Sequence, residues 1–394
     1  KGDDIMDNST VRRRTSMVIA KKRLDLTLTD SNIVAFTAVS IFLPYVLTTL
    51  ILISMSLYII INKRTRKQIF IHSGSESFKL FFVYALAVAF MYRNWMGFAV
   101  GAAVILGLIL GLFIRSVMNG ELYERILTLI CNMSLTSTGY AILEALINYI
   151  DDGRISKRIS TVFFYPNYFG TVAATVIIIS AYKILTSKEN KIHYYIIAGL
   201  NMISLYLSMS IFACIEVFIG IMILLAVLHR HRLLMIWLLG AFIGAVLIFG
   251  LNIKLIPRIS DMDVTLRLRQ QIWEQAIISI KESPWLGHGF MSYGYLFGVV
   301  YHYRLVPHAH NIFIDMLLNF GIVGSILFSC YFVIYYYDLV KEWLHNKKNK
   351  SVVLILAVSA AAFVHGMTDI TLLWVQTLPL FLIILSGFKV KTNA

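Results

Sequence analysis

Histidine is the side chain best suited to take a proton near neutral pH, and residues 308–311 read His308-Ala309-His310-Asn311. A long apolar run starts immediately after them. His310 is therefore placed at the end of a membrane-length helix, where an imidazole could serve as a general base. Asp315 follows Asn311 by four residues, so a helix would turn both to the same side. An ionisable residue inside a span is a functional candidate by default. Ten residues beyond Asn311 comes Gly321, and three further Gly324. That spacing predicts two small residues on one helix face and close approach of a neighbouring helix. Arg267 and Arg269 lie upstream, and Trp273 follows Arg269 by one helical turn, near enough to stack on it. Arg154 and Arg158 lie further upstream still. Guanidinium groups make planar, bidentate contacts with phosphate, so these arginines beside a histidine point to an anion site.

The elements that must hold these residues follow from composition. The chain has 394 residues, 58% hydrophobic and 14% charged, with formal net charge +14, and its mean hydropathy is +0.75. A soluble domain is typically about half apolar and about a quarter charged. A soluble enzyme and a disordered nucleic-acid binder are both excluded. Apolar stretches run over 33–61, 78–92, 95–114, 126–149, 166–182, 193–209, 211–229, 233–251, 310–340, 351–368 and 371–388. They predict an all-α polytopic membrane protein with eleven or twelve transmembrane helices. Pro44 is a candidate break in the first stretch, and Arg93-Asn94 reads as a tight turn between the second and third.

One set of short loops carries 17 Lys and Arg against 4 on the other side. By the positive-inside rule the first set is cytoplasmic. The C-terminus then lies inside and the long loop 252–309 outside. Within that loop, 264–281 reads as an amphipathic helix, with Ile272, Trp273, Ala276, Ile277 and Ile280 on one face and polar residues opposite. Residues 1–31 form a polar, basic segment, and 32–394 a single membrane domain. The chain opens on Lys1, with Met6 as a candidate initiator, and the opening segment lacks the apolar core and cleavage site of a signal peptide. Cys131, Cys214 and Cys330 lie within apolar stretches and read as small hydrophobes.

His310-Asn311-x9-Gly321-x2-Gly324 resembles the signature of the O-antigen ligase and polysaccharide polymerase family. Arg269-x3-Trp273 followed by Pro284-x2-Gly287-x-Gly289 is similar to a second segment of that family. Arg158, Phe163 and Pro166-Asn167-Tyr168-Phe169-Gly170 resemble a third, found in members that polymerise surface polysaccharide. The resemblance covers roughly residues 150–390, in the family's order. It implies action on sugar carried by undecaprenyl pyrophosphate at the outer face of the bacterial plasma membrane, with no metal or cofactor. Carried over, His310 is the base and Asn311 orients the site. Arg269 and Arg158 hold pyrophosphate, and His308, Asp315, Trp273, Gly321 and Gly324 support them. One departure stands out: where many members have Ser-Arg-Gly in a central span, this chain has Ser208-Met209-Ser210-Ile211-Phe212, with Ile211 in place of the arginine. Arg154, Lys157 or Arg267 are candidates to substitute.

The expected reaction is transfer of a glycan from undecaprenyl pyrophosphate to a sugar hydroxyl of another lipid-linked repeat unit, with inversion. The bilayer, a chain-length regulator and a flippase are the partners this implies, and nucleic acid is not among them. A ligase that passes finished glycan to lipid A core or protein is the second reading. A transporter of lipid-linked sugar is the third, disfavoured by the lack of internal repeats. Asp261-Met262-Asp263 and His288, His302, His308 and His310 are weaker metal candidates. Glu144 and Glu216 lie within spans, and His365 and Asp369, four residues apart, read as a hydrogen-bonded structural pair. There is no P-loop, GxGxxG or GxSxG.

Overall fold

A computed structural model describes residues 29–153, 157–187, 191–251, 253, 262–300, 306–347 and 349–388. Arg154, Asp261, His302 and the N-terminal basic segment up to residue 28 lie outside the described residues. The described chain is helical, without strands: α1 Asp30–Ser40, α2 Tyr45–Ile61, α3 Lys63–Arg66, α4 Ser75–Met91, α5 Trp95–Val117, α6 Gly120–Asp152, α7 Pro166–Thr186, α8 Lys191–Ser208, α9 Ile211–Val227, α10 His231–Ala245, α11 Met262–Glu282, α12 Ile312–His345, α13 Lys350–Gly366 and α14 Thr377–Leu385. By length and composition α5, α6, α7, α12 and α10 with its π-helical continuation to Gly250 can each cross a membrane; α2, α9 and α13 are shorter apolar helices. The protein is thus all-α and polytopic.

Helix boundaries follow local chemistry. Pro44 has no N–H to donate and breaks the first apolar stretch into α1 and α2. At the turn between α4 and α5, Arg93 takes φ +53°, and Asn94 caps α5 by accepting the Gly97 N–H at 2.8 Å. Asn119 does the same for α6, and Gly153 ends α6 in the left-handed region. Pro166 opens α7 at a position where its missing N–H costs nothing.

The core runs through α1, α2, α4 to α8, α12, α13 and α14 as one continuous apolar cluster. α7 is the central helix, with most of its residues buried, flanked by α8 and α9. α10 buries no residue and rests on α9, where Trp237 stacks on Phe218 and donates Nε1–H to its carbonyl. Its bare apolar faces suit a lipid surround. The turns that end α6, α8 and α13 and begin α7, α9, α12 and α14 share one end of the bundle. The amphipathic α11 lies at that end on its own small core of Ala276, Tyr293, Leu296, Ala309 and Leu318.

Gly321 departs from the sequence expectation. Rather than lying on an unbroken helix face, it takes φ +57° and ψ −167° and kinks α12. The freed backbone is satisfied by the segment that follows α11: Ile322 and Val323 N–H donate to the carbonyls of Pro284 and Trp285 at 2.9 and 3.2 Å, while Gly289 N–H donates to Asn319 at 2.7 Å. A Cβ on Gly287 would sit 2.5 Å from the Asn319–Gly321 backbone, and one on Gly321 2.4 Å from Trp285. The two glycine motifs are therefore two sides of one backbone contact that ties α11 to α12. Gly324 does meet a neighbour closely, the ring of Tyr84 on α4.

Gly321→Ala should lower the unfolding midpoint in detergent, because a positive φ and a backbone clash together cost about 1–3 kcal/mol or more. Gly199→Ala, with open space around it, should leave the midpoint unchanged or raise it. Equal midpoints for both variants would refute the backbone contact.

Candidate functional site

Four elements converge on the carboxylate of Asp369, in the loop between α13 and α14. His310 Nδ1 is 3.0 Å from its Oδ1. Asn167, in the first turn of α7, donates its amide to Oδ2 at 2.6 Å. The Ile370 N–H donates to Oδ1 at 2.8 Å. Arg269 of α11 brings a guanidinium nitrogen to 3.8 Å from Oδ2, and His308 Nε2 is 3.9 Å from Oδ1. Asp369 is 4% exposed and Arg269 6%.

The loop before α12 is shaped to present His310. Its backbone takes φ +50°, a conformation costly for a residue with a Cβ and concentrated at functional sites. Asn311 caps α12, accepting the N–H groups of Phe313 and Ile314, and donates its amide to the Met367 carbonyl at 3.0 Å. It thereby ties the loop of His310 to that of Asp369. Asp315 accepts the Ala309 N–H at 2.9 Å and the Asn319 amide at 2.6 Å, so it holds the backbone between the two histidines. The His308 and His310 rings meet edge-on at 4.4 Å.

Arg158 reaches the centre through Asn167, donating to the amide oxygen with one nitrogen and to the Ser208 carbonyl with Nε at 3.0 Å. Arg269 does not stack on Trp273 as its spacing suggested. Its guanidinium lies 4.7 Å over the ring of Phe212, and its second terminal nitrogen is buried without a hydrogen-bond partner among the described residues. Arg267 stays away from the centre, on an exposed face of α11, where it lines an open cleft of about 500 Å³ with Asp263, Gln270 and Trp273.

Burial would raise the Asp369 carboxyl, yet the hydrogen bond and charge of His310, with His308 and His365, hold it well below the usual carboxylate range. Burial lowers His308 to about 4, with His310 and Arg269 acting in the same direction and Asp369 opposing. Burial also lowers Arg269 while Asp369 opposes it; a guanidinium stays protonated at neutral pH regardless. The centre is thus an ionised carboxylate flanked by a buried cation, a neutral His308 and an imidazole at His310. The donor atoms of His308, His310 and Asp369 lie within 4.8 Å of one another, close enough for a small cation. Three hydrogen bonds already engage the carboxylate and would compete with it. Asp263 is exposed on α11, and its partner Asp261 lies outside the described residues.

Sequence reasoning placed His310, His308, Arg269 and Arg158 in the site and missed its centre. Spacing alone makes Asp369 a structural partner of His365, with at most a supporting role in the site. Asn167 belongs to the Pro166-Asn167-Tyr168 motif, which by itself assigns it no role, and nothing in the sequence signals Phe212.

A polytopic helical bundle with a histidine–carboxylate pair, the buried Arg269 and the half-buried Arg158 at one end defines the class: a membrane protein with a candidate anion site. Residues 194–329 match the family model described as O-antigen ligase. The chain is also 26% identical over 144 residues, 34% of its length, to the exopolysaccharide production protein ExoQ of Rhizobium meliloti. It matches 33% of that relative's length. Both matches support membership of the O-antigen ligase and polysaccharide polymerase family.

Acidification should reveal His308. Its native form is neutral down to about pH 4, whereas an exposed histidine takes a proton near 6.5. Between these values the unfolded chain binds more protons than the native one, so stability falls as pH falls from about 6.5 to about 4. His308→Asn should flatten the midpoint-against-pH curve across that window. An unchanged slope would contradict a buried neutral His308.

Proposed function

We propose that the protein is a glycosyltransferase that polymerises surface polysaccharide from lipid-linked repeat units. The observation that carries the reading is Arg269: a buried guanidinium with an unsatisfied donor, beside a His–Asp pair 3.0 Å apart. Donation of Nδ1–H to Asp369 fixes the His310 tautomer and leaves Nε2 with the lone pair. That nitrogen takes the proton of the acceptor hydroxyl as its oxygen bonds to the anomeric carbon. The bond from that carbon to the pyrophosphate oxygen breaks, and the electron pair leaves with the pyrophosphate. Arg269, with Arg158 behind Asn167, offsets the charge that builds there. Asp369 stabilises the imidazolium formed. Attack opposite the leaving group inverts the anomeric centre. Undecaprenyl pyrophosphate is the carrier this requires, and the site would face the periplasm or cell exterior of a bacterial plasma membrane.

The lipid tail has a place to lie. An apolar groove of about 550 Å³ between α12, α13 and α14 is lined at its near end by Ile312, Phe313, Leu372 and Leu373, close in sequence to His310 and Asp369. A polyprenyl chain entering from the bilayer would bring its pyrophosphate to Arg269.

A ligase uses the same donor and leaving group, and the matched domain's description favours it as a second reading. A gel of surface glycan from a deletion strain separates the two. Loss of a polymerase leaves single repeats, whereas loss of a ligase leaves long chains on the lipid carrier.

In that strain, His310→Ala should behave as the deletion, since loss of a general base lowers rate by about 10²–10⁴-fold. Arg269→Lys should shorten the chains, because an ammonium cannot replace a stacked, bidentate guanidinium. Normal chain length in His310→Ala would remove the proposed base.

A further inference from the structure

The outer turn of α9 begins at Ile211, where the family's central-span arginine is missing. Two of its side chains, one helical turn apart, face the site from below. Phe212 presents its ring to the Arg269 guanidinium at 4.7 Å, and the same ring meets the His365 imidazole at 6.1 Å between centroids. Glu216, 3% exposed, brings Oε2 to 3.2 Å from His365 Nδ1, and Thr171 Oγ is 3.3 Å from the same nitrogen. His365 is 1% exposed. Its carbonyl accepts the Asp369 N–H at 2.9 Å and the Thr368 hydroxyl at 3.0 Å. The turn that carries Asp369 therefore hangs on His365, and Glu216 lies at ion-pair distance from the His365 ring.

We propose that Phe212 and Glu216 are positioning residues: Phe212 seats the Arg269 guanidinium, and Glu216, through His365, fixes the loop that carries Asp369. Neither reaches the reacting atoms. A buried acid–imidazole pair that served only helix packing could be replaced as a pair by apolar residues of similar volume at little cost. Here the acid is joined to the one imidazole whose backbone holds the central carboxylate. The phenyl ring likewise does what a hydrogen bond to Arg269 would otherwise do, without occupying the donors that an anion needs. The turn thus keeps Arg269 in place while leaving its N–H groups available. The titratable and charged groups facing this cluster are Asp369, Arg269, His308, His310 and Tyr168, with Arg158 behind Asn167.

This inference rests on the glycosyl-transfer reading, and the test separates the two. Purified full-length variants in lipid nanodiscs are given lipid-linked repeat unit, and kcat and KM for lipid-linked donor are measured. Phe212→Leu should lower kcat/KM for the lipid-linked donor about tenfold, the loss of one cation–π contact that holds Arg269; Phe212→Tyr should restore it. Glu216→Leu should lower kcat about 10²-fold, as misplacement of a catalytic group by about 1 Å can, with KM little changed. Glu216→Gln, which keeps an acceptor for His365, should recover most of that loss. Thermal midpoints exclude variants that fail to fold, and the conservative variants keep the test decisive if the others do. Wild-type constants in Phe212→Leu and Glu216→Leu, with His310→Ala inactive, would overturn the positioning role alone. Activity in His310→Ala would overturn the reading beneath it.

Discussion

Asp369 takes a carboxylate into the bundle, and a buried charge costs several kcal/mol unless it is paired and hydrogen-bonded. Its compensation comes from every direction. Asn167 arrives from α7, His310 from the loop before α12, Arg269 from α11 and a backbone N–H from its own loop. Removing any of them leaves the others with an uncompensated neighbour. The ends of these helices must therefore meet within a few ångströms, and the order of the bundle at this end follows from that requirement.

The surrounding devices serve the same end. Asn311 caps one helix while tying it to the loop of Asp369, and Asp315 fixes the backbone between the two histidines. The contact between Gly287 and Gly321 holds α11, and with it Arg269, against the helix that His310 precedes. Only main chain meets main chain there, which is why both positions are glycine. Arg158 acts through Asn167 and the Ser208 carbonyl, so a residue well upstream in sequence still bears on the centre. His310 sits in a strained backbone conformation that this framework enforces.

Much of this was legible in the sequence because membrane helices and their ends have strong local signals. The apolar runs, the break at Pro44, the turn at Arg93-Asn94 and the amphipathic segment now forming α11 all depend on neighbours in sequence. His310 and Arg269 were legible because a histidine at a span end and an arginine in a long loop between spans are chemically conspicuous. Asp369 was not, since its spacing from His365 has a commonplace structural explanation and its partners are tens to hundreds of residues away. Helical spacing paired Arg269 with Trp273, but tertiary packing gave it Phe212. Spacing also put Gly321 on a smooth helix face, and the positive φ that makes it essential depends on a strand of backbone from before α12. Arg267, adjacent in sequence to the site, is turned away by helix geometry.

The central claim is that the Asp369 carboxylate holds His310 as a base for glycosyl transfer. It is tested most directly with Asp369→Asn in nanodiscs, an exchange that keeps shape and removes charge. Release of undecaprenyl pyrophosphate and formation of glycosidic bonds are followed together. The account predicts equal amounts of both from the wild type, and a joint fall of about 10²-fold or more in the variant. Wild-type rates in a folded Asp369→Asn protein would contradict it.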